Sequence, residues 1–243
     1  MLVSLMDLTK FKAKADDISP SISEIFVDRK TWRVQFLALD IGGWFSRRSA
    51  VVSADRITEM SASDRSLKID LTKQMAEDAP DLHEFAGSSG NSWDESYVFP
   101  SLFTASAAGA ISPMLLDMSV RPGDVTDDPD PAQAERLERM FPLTEATRSE
   151  AFNSEGPVGR VIDFLANPET LTVTHVVVDT GESIAESQRV IPVSAVSRVA
   201  KGENHTVLDI SKDKIEHGPR LEHFDRVDRN WLDTTAAYYG VSA

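Results

Sequence analysis

The chain has 243 residues, 41% hydrophobic and 26% charged, with a formal net charge of −14 and no cysteine. That length exceeds the usual single domain of about 100–150 residues and fits two small units plus connecting material, while the missing thiols exclude disulfides, thiolate metal sites and a cysteine nucleophile. The acidic excess, half of it in residues 83–142 with 3 basic and 10 acidic side chains, would repel nucleic-acid phosphates and anionic lipid, so nucleic acid is not expected as a partner.

The opening Met1-Leu2-Val3-Ser4-Leu5-Met6-Asp7 carries no basic start and no apolar run suited to a signal peptide. Charged and apolar residues then alternate from Lys10 to Ala15, placing Phe11, Ala13 and Ala15 on one face of a strand, and Asp16-Asp17 supplies a turn. A strand over Ile22 to Val27 follows, and its imperfect alternation predicts a bulge or burial on both faces. Asp28-Arg29-Lys30 turns the chain into a long strand, Trp32 to Leu39. Val51-Val52, Ile57 and Leu67 to Leu71 give further short strands, and Thr72 caps a helical turn that Pro80 ends.

Beyond this point Gly87 to Ser92 and the acidic, proline-bearing Asp124 to Asp130 read as loops. Asp130-Pro131 should start a helix to about Phe141, with Ala134, Leu137 and Phe141 on one stripe. The most apolar interior stretch, Val98 to Met118, is broken by Pro100, Gly109, Pro113 and Asp117, so no membrane-spanning helix is expected. Strands are then predicted at Val158 to Leu165, Thr170 to Val178, Val190 to Val193, Val196 to Val199 and Val207 to Ile210, with Ser211 capping another helical turn before Gly218-Pro219. A last short helix after Asp228 carries Trp231, Tyr238 and Tyr239 ahead of Gly240, aromatics expected to dock on a barrel.

Two of these strands run into Asp-x-Gly, at Asp40-Ile41-Gly42 and Asp179-Thr180-Gly181, and they are copies. An offset of 139 residues pairs Asp40 with Asp179, and equally Val34 with Val173, Val51 with Val190, Asp70 with Asp209, Lys73 with Lys212, Pro80 with Pro219 and Leu82 with Leu221. Many short strands closed by one helical turn, with no helices between them, point to a small β-barrel or roll and exclude a parallel α/β sheet.

The duplicated pattern resembles the PRC-barrel family, the module of the cytoplasmic part of the photosynthetic reaction-centre H subunit and of the C-terminus of a ribosome-maturation factor. Glu155-Gly156-Pro157-Val158-Gly159-Arg160-Val161-Ile162-Asp163-Phe164-Leu165 is similar to the family's acidic-Gly turn and "G-x-V-x-D-F" strand, followed in order by Asp179-Thr180-Gly181, Val190-Ile191-Pro192, Val207 to Ile210 and Pro219. The first copy keeps Asp40-Ile41-Gly42-Gly43-Trp44, Val51-Val52, Ile69 to Thr72 and Pro80, with Asp16-Asp17 in place of the acidic-Gly turn. The resemblance implies a mainly β protein of two small PRC-like barrels in tandem, with a partly helical linker and a short C-terminal helix. The corresponding boundaries are 1–86 and 148–226 for the barrels, 87–147 for the linker and 227–243 for the tail. It also implies an adaptor that docks on other proteins, accessory to a membrane or photosynthetic complex, with no catalysis and no cofactor.

Motifs that carry chemistry are weaker. Val178-Asp179-Thr180-Gly181 looks like one lobe of an aspartic protease, but the first copy has Ile41 at the supporting hydroxyl, and an Asp side chain capping a tight turn ahead of a positive-φ glycine explains both copies. Ser211-x-x-Lys214 lacks the partner motifs of penicillin-binding enzymes and reads as a helix cap. His217, His223 and Asp225 form the one metal-like cluster, and a small metal-dependent hydrolase using them is the alternative to a scaffold. Trp44, Phe45, Arg47 and Arg48 follow the Gly42-Gly43 turn and combine apolar and basic groups, which makes them candidate protein-contact residues or a plug for the barrel end. The expectation is a cytoplasmic scaffold with a protein partner, with homo-oligomerisation left open.

Overall fold

The computed structural model describes residues 2–16, 18–41, 49–79, 81–82, 139–181, 188–199, 205–221 and 229–240. Trp44, Phe45, Arg47, Arg48, His223, Asp225, most of the linker and the helix expected before residue 139 lie outside them. The protein is mainly β with a curled sheet. Among the described residues no helix is long and apolar enough to cross a membrane.

The first copy supplies β1 (Val3–Ser4), α1 (Leu5–Leu8), β2 (Lys12–Lys14), β3 (Ser21–Asp28), β4 (Arg33–Asp40), β5 (Ser49–Ser53), β6 (Ile57–Ser61), β7 (Ser66–Ile69) and α2 (Lys73–Asp78). The second supplies the same elements in the same order: β8 (Met140–Pro142), α3 (Leu143–Ala146), β9 (Glu150–Asn153), β10 (Gly156–Ala166), β11 (Val173–Asp179), β12 (Gln188–Pro192), β13 (Val196–Val199), β14 (His205–Leu208) and α4 (Lys212–Glu216). A further helix, α5 (Arg229–Tyr239), ends the described chain. Single 3-10 turns at Ala54–Arg56 and Val193–Ala195 precede β6 and β13.

Equivalent residues do the same work. In the β3–β4 turn the Asp28 Oδ1 accepts from the N–H of Lys30 (2.7 Å) and Thr31 (3.1 Å), and in the β10–β11 turn the Asn167 Oδ1 accepts from Glu169 (2.8 Å) and Thr170 (3.3 Å). Both turns close on a residue forced to positive φ, Trp32 at 56° and Leu171 at 55°, a conformation that costs a side-chain-bearing residue about 1 kcal/mol or more. The two turns hold each other there. The Val34 N–H donates to the Leu171 carbonyl at 3.0 Å and the Val173 N–H to the Trp32 carbonyl at 2.6 Å, so β4 and β11 meet antiparallel around the Arg33–Thr172 pair. These are mutually equivalent positions, and a pseudo-two-fold axis passes between them.

In the second copy the strands form one sheet, ordered β12-β11-β10-β9-β14-β13. In the first they divide into β5-β4-β3, extended by β8 of the second copy, and β2-β7-β6. The division has a local cause. β10 runs back to Gly156, which at φ 129° turns tightly onto β9, whereas the first copy has Pro20, which has no N–H to donate, where the second has Gly159. An Ala15–Ile18 bridge spans the gap there.

Each copy's opening strand and helix lie on the other copy. β1 pairs with β10, not β3, through Val3–Ala166 and Ser4–Leu165; β8 pairs with β3, not β10, through Val27–Phe141 and Phe26–Pro142. Residues 139–147, placed in the linker by sequence, are thus the second copy's arm, and Phe141, expected on a helical stripe, is a buried strand residue. Pro142 cannot donate within a helix interior and stands as the N-cap of α3, which fixes the change from strand to helix there. One continuous core results. It joins Leu5, Leu8, Val27, Leu37 and Leu67 of the first copy to Leu143, Phe164, Val176 and Ile191 of the second. The Trp32 ring sits at the joint, 5.9 Å from Phe141 and 6.3 Å from Phe164.

Candidate functional site: paired carboxylates at the exchanged arms

β3 and β10 both carry a register shift, between Ile22 and Glu24 and between Val161 and Asp163. The extra residue turns an acidic side chain into the interior at the same place in each copy. Asp163 Oδ1 accepts from its neighbour Phe164 N–H at 2.7 Å and from the Met6 N–H at 3.1 Å, and Oδ2 receives the Ser4 hydroxyl. Ser4 is itself the N-cap of α1, accepting from the Asp7 N–H at 2.9 Å. Glu24 repeats the set: Oε1 accepts from the Ile25 N–H at 2.9 Å and the Thr144 N–H at 3.2 Å, while Oε2 receives the Thr144 hydroxyl. Each carboxyl therefore satisfies the first-turn N–H of the short helix that arrives from the opposite copy.

Both groups are almost wholly buried. Burial pushes the Asp163 carboxyl up to about 6, against the opposing pull of its hydrogen bonds from Ser4, Met6 and Phe164, and the nearby Asp7 charge adds to the rise. Burial likewise raises Glu24, offset in part by Thr144 and Ile25. Asp163 falls within the motif strand Val161 to Leu165, yet the sequence pattern alone assigns neither acid a role. The signal was an acid inside an apolar strand at equivalent positions, Ile22-Ser23-Glu24-Ile25 and Val161-Ile162-Asp163-Phe164.

The other buried polar groups are anchors. Arg189 on β12 donates from Nε and Nη2 to the Glu216 carbonyl at 3.1 and 2.9 Å, tying α4 to the sheet. His175 on β11 contacts the Thr174 hydroxyl through Nδ1 at 2.9 Å, and burial pushes its imidazole down to about 4. α5 packs beside β12 and α4, with Tyr239 buried, Trp231 half-buried and Tyr238 exposed but donating its hydroxyl to the Lys214 carbonyl at 3.0 Å. Gly218 leaves room for the Tyr239 hydroxyl, which a Cβ there would meet at 2.2 Å.

The Asp-Thr-Gly sequence is a turn: the Gly181 N–H donates to Asp179 Oδ1 at 2.9 Å and Gly181 lies at φ 77°. Ser211 caps α4 by accepting from the Lys214 N–H at 3.3 Å, as Thr72 caps α2 from Met75 at 3.2 Å. His217, exposed at the end of α4, keeps Nδ1 at 2.9 Å from the Asp213 carbonyl. Its proposed companions His223 and Asp225 lie outside the described residues, as do the candidate contact residues Trp44, Phe45, Arg47 and Arg48. Among the described residues no three His, Asp or Glu side chains group as a metal site would require. Compared with known protein families and with curated proteins, the sequence gives no match.

Proposed function

We propose that the protein is a non-enzymatic scaffold built from two PRC-like barrels in tandem, locked together by exchanged arms, which presents a rigid surface to a protein partner. The observation that supports this reading is the use made of its buried polar chemistry. Glu24, Asp163, Ser4 and Thr144, the groups a catalyst would aim at a substrate, are turned inward to join the two copies. The repeat of element order, turn and bulge in both copies supports the PRC-like reading of each.

The acidic balance favours a basic protein patch over nucleic acid, because long-range attraction speeds encounter with the former and repulsion opposes the latter. The test is affinity capture from native lysate with the full chain, followed by binding kinetics at rising ionic strength and metal analysis of the purified protein. A recovered protein partner whose association slows with salt supports the scaffold. Stoichiometric zinc or iron that His223→Ala removes would establish the metal-dependent hydrolase instead, and tight RNA or DNA binding at physiological salt would overturn the charge argument.

A further inference from the structure

We propose that the joint between the two copies is a proton-linked latch: docking of each exchanged arm takes up a proton at the carboxyl group beneath it, so the arms clamp in mild acid and loosen toward neutral and alkaline pH. The hydrogen-bond pattern accommodates a proton on each carboxyl. One oxygen of each carboxyl, Asp163 Oδ1 or Glu24 Oε1, accepts two backbone N–H groups and does so whether the group is ionised or neutral. The other oxygen meets a hydroxyl, Ser4 or Thr144, and a hydroxyl can either donate to a carboxylate or accept from a carboxylic acid. The proton thus has a place to go in both copies.

The direction follows from what the arm does to its carboxyl. A docked arm removes Asp163 from water, which disfavours the charged form more than the three hydrogen bonds favour it. With the arm away, Asp163 returns toward an ordinary aspartate near 3.9. Docking therefore binds a proton, and by linkage acid favours docking.

The surrounding charges do not reverse this. α1 brings Asp7, which opposes ionisation of Asp163 and is itself paired with Arg65 at 2.5 Å and Lys10 at 3.9 Å. β11 brings His175, opposite Leu165, and at the far end of β10 Arg160 lies in register with Asp179 and Glu150. Around Glu24, α3 carries Glu145, β4 carries Asp40 opposite Ser21, and Asp28 at the end of β3 pairs with Arg139 at 3.5 Å.

Amide hydrogen exchange on the full chain, corrected for the intrinsic pH dependence of exchange, reads arm opening at Met6 and Thr144 separately. Between pH 5 and 7.5 protection at Met6 should fall about tenfold, the factor a shift from about 3.9 to about 6 gives over that interval. Asp163→Asn should abolish the pH response at Met6 and leave the response at Thr144, and Glu24→Gln should do the reverse. Should a variant fail to fold, titration of the wild-type Asp163 carboxyl carbon by NMR decides the matter, with a midpoint near 6 expected. Protection at Met6 that is flat with pH, a pH response that survives Asp163→Asn, or a midpoint near 4 would overturn the latch.

Discussion

Leu5 lies in the first copy's sequence but in the joint core, on a helix docked against the second copy, with none of its surface exposed. Replacing it by alanine removes buried methyl groups and leaves a cavity that β1, α1 and β10 cannot close without breaking the Ser4–Leu165 pairing. Such substitutions cost about 2–5 kcal/mol, so roughly 3 kcal/mol is expected here, or on the order of 6–12 °C in Tm for a folded unit of this size. The informative quantity is where the loss appears. Urea unfolding of Leu5→Ala followed by hydrogen exchange in both copies should show β3–β4 and β10–β11 losing protection together at one lowered midpoint. Leu143→Ala, its counterpart on α3, should behave alike. A loss below about 1 kcal/mol, or one confined to a single copy, would refute the interlocked core.

Gly159→Ala should be among the most damaging single-atom additions, since a Cβ there would stand 2.2 Å from the Asp179 carbonyl oxygen on the neighbouring strand at φ 144°; a loss of several kcal/mol by urea denaturation is expected, with Gly156→Ala, where space is open, milder. The pH profile of global stability should be shallow in wild type because buried His175 opposes the two buried carboxyls, Asp163 and Glu24. His175, held down to about 4, contributes stability that is present above about 6.5 and lost as pH falls through 4; Asp163, raised to about 6, contributes stability that is present below about 3.9 and lost as pH rises through 6. His175→Phe, which places the residue of the equivalent Phe36 there, should uncover the carboxyl effect as a gain of about 1 kcal/mol or more between pH 7 and pH 5, Asp163 supplying about 1 kcal/mol and Glu24 adding to it, read from urea midpoints at the two pH values.

The duplication, the turns, the helix caps and the bulged strand could be read in the sequence because each depends on local chemistry: Asp28 and Asn167 capping turns, Thr72 and Ser211 capping helices, Gly181 at positive φ. The exchange could not. Its arms are two-to-three-residue strands and four-residue helices, too short for a periodic signal, and their equivalent residues differ, Ser4 against Pro142 and Met6 against Thr144. The offset there is also one residue shorter than in the rest of the repeat. Nor does a strand's composition say which of two equivalent edges it will join, since β3 and β10 present the same bulge and the same acid. The paired carboxylates stayed hidden for a related reason: one is Glu and the other Asp, with their hydroxyl partners at different positions of the two arms, the N-cap of one helix and the second residue of the other.

If the two copies form one folded unit through exchanged arms, that unit should survive a cut in the chain between them. A protease site inserted between residues 90 and 130 of the 243-residue chain, outside every described element, allows the backbone to be cleaved after folding. After cleavage the two fragments should co-elute as a 1:1 complex and unfold in a single transition at a midpoint near that of the intact chain at micromolar concentration. Fragments that separate on a sizing column while each keeps its own cooperative transition would contradict it.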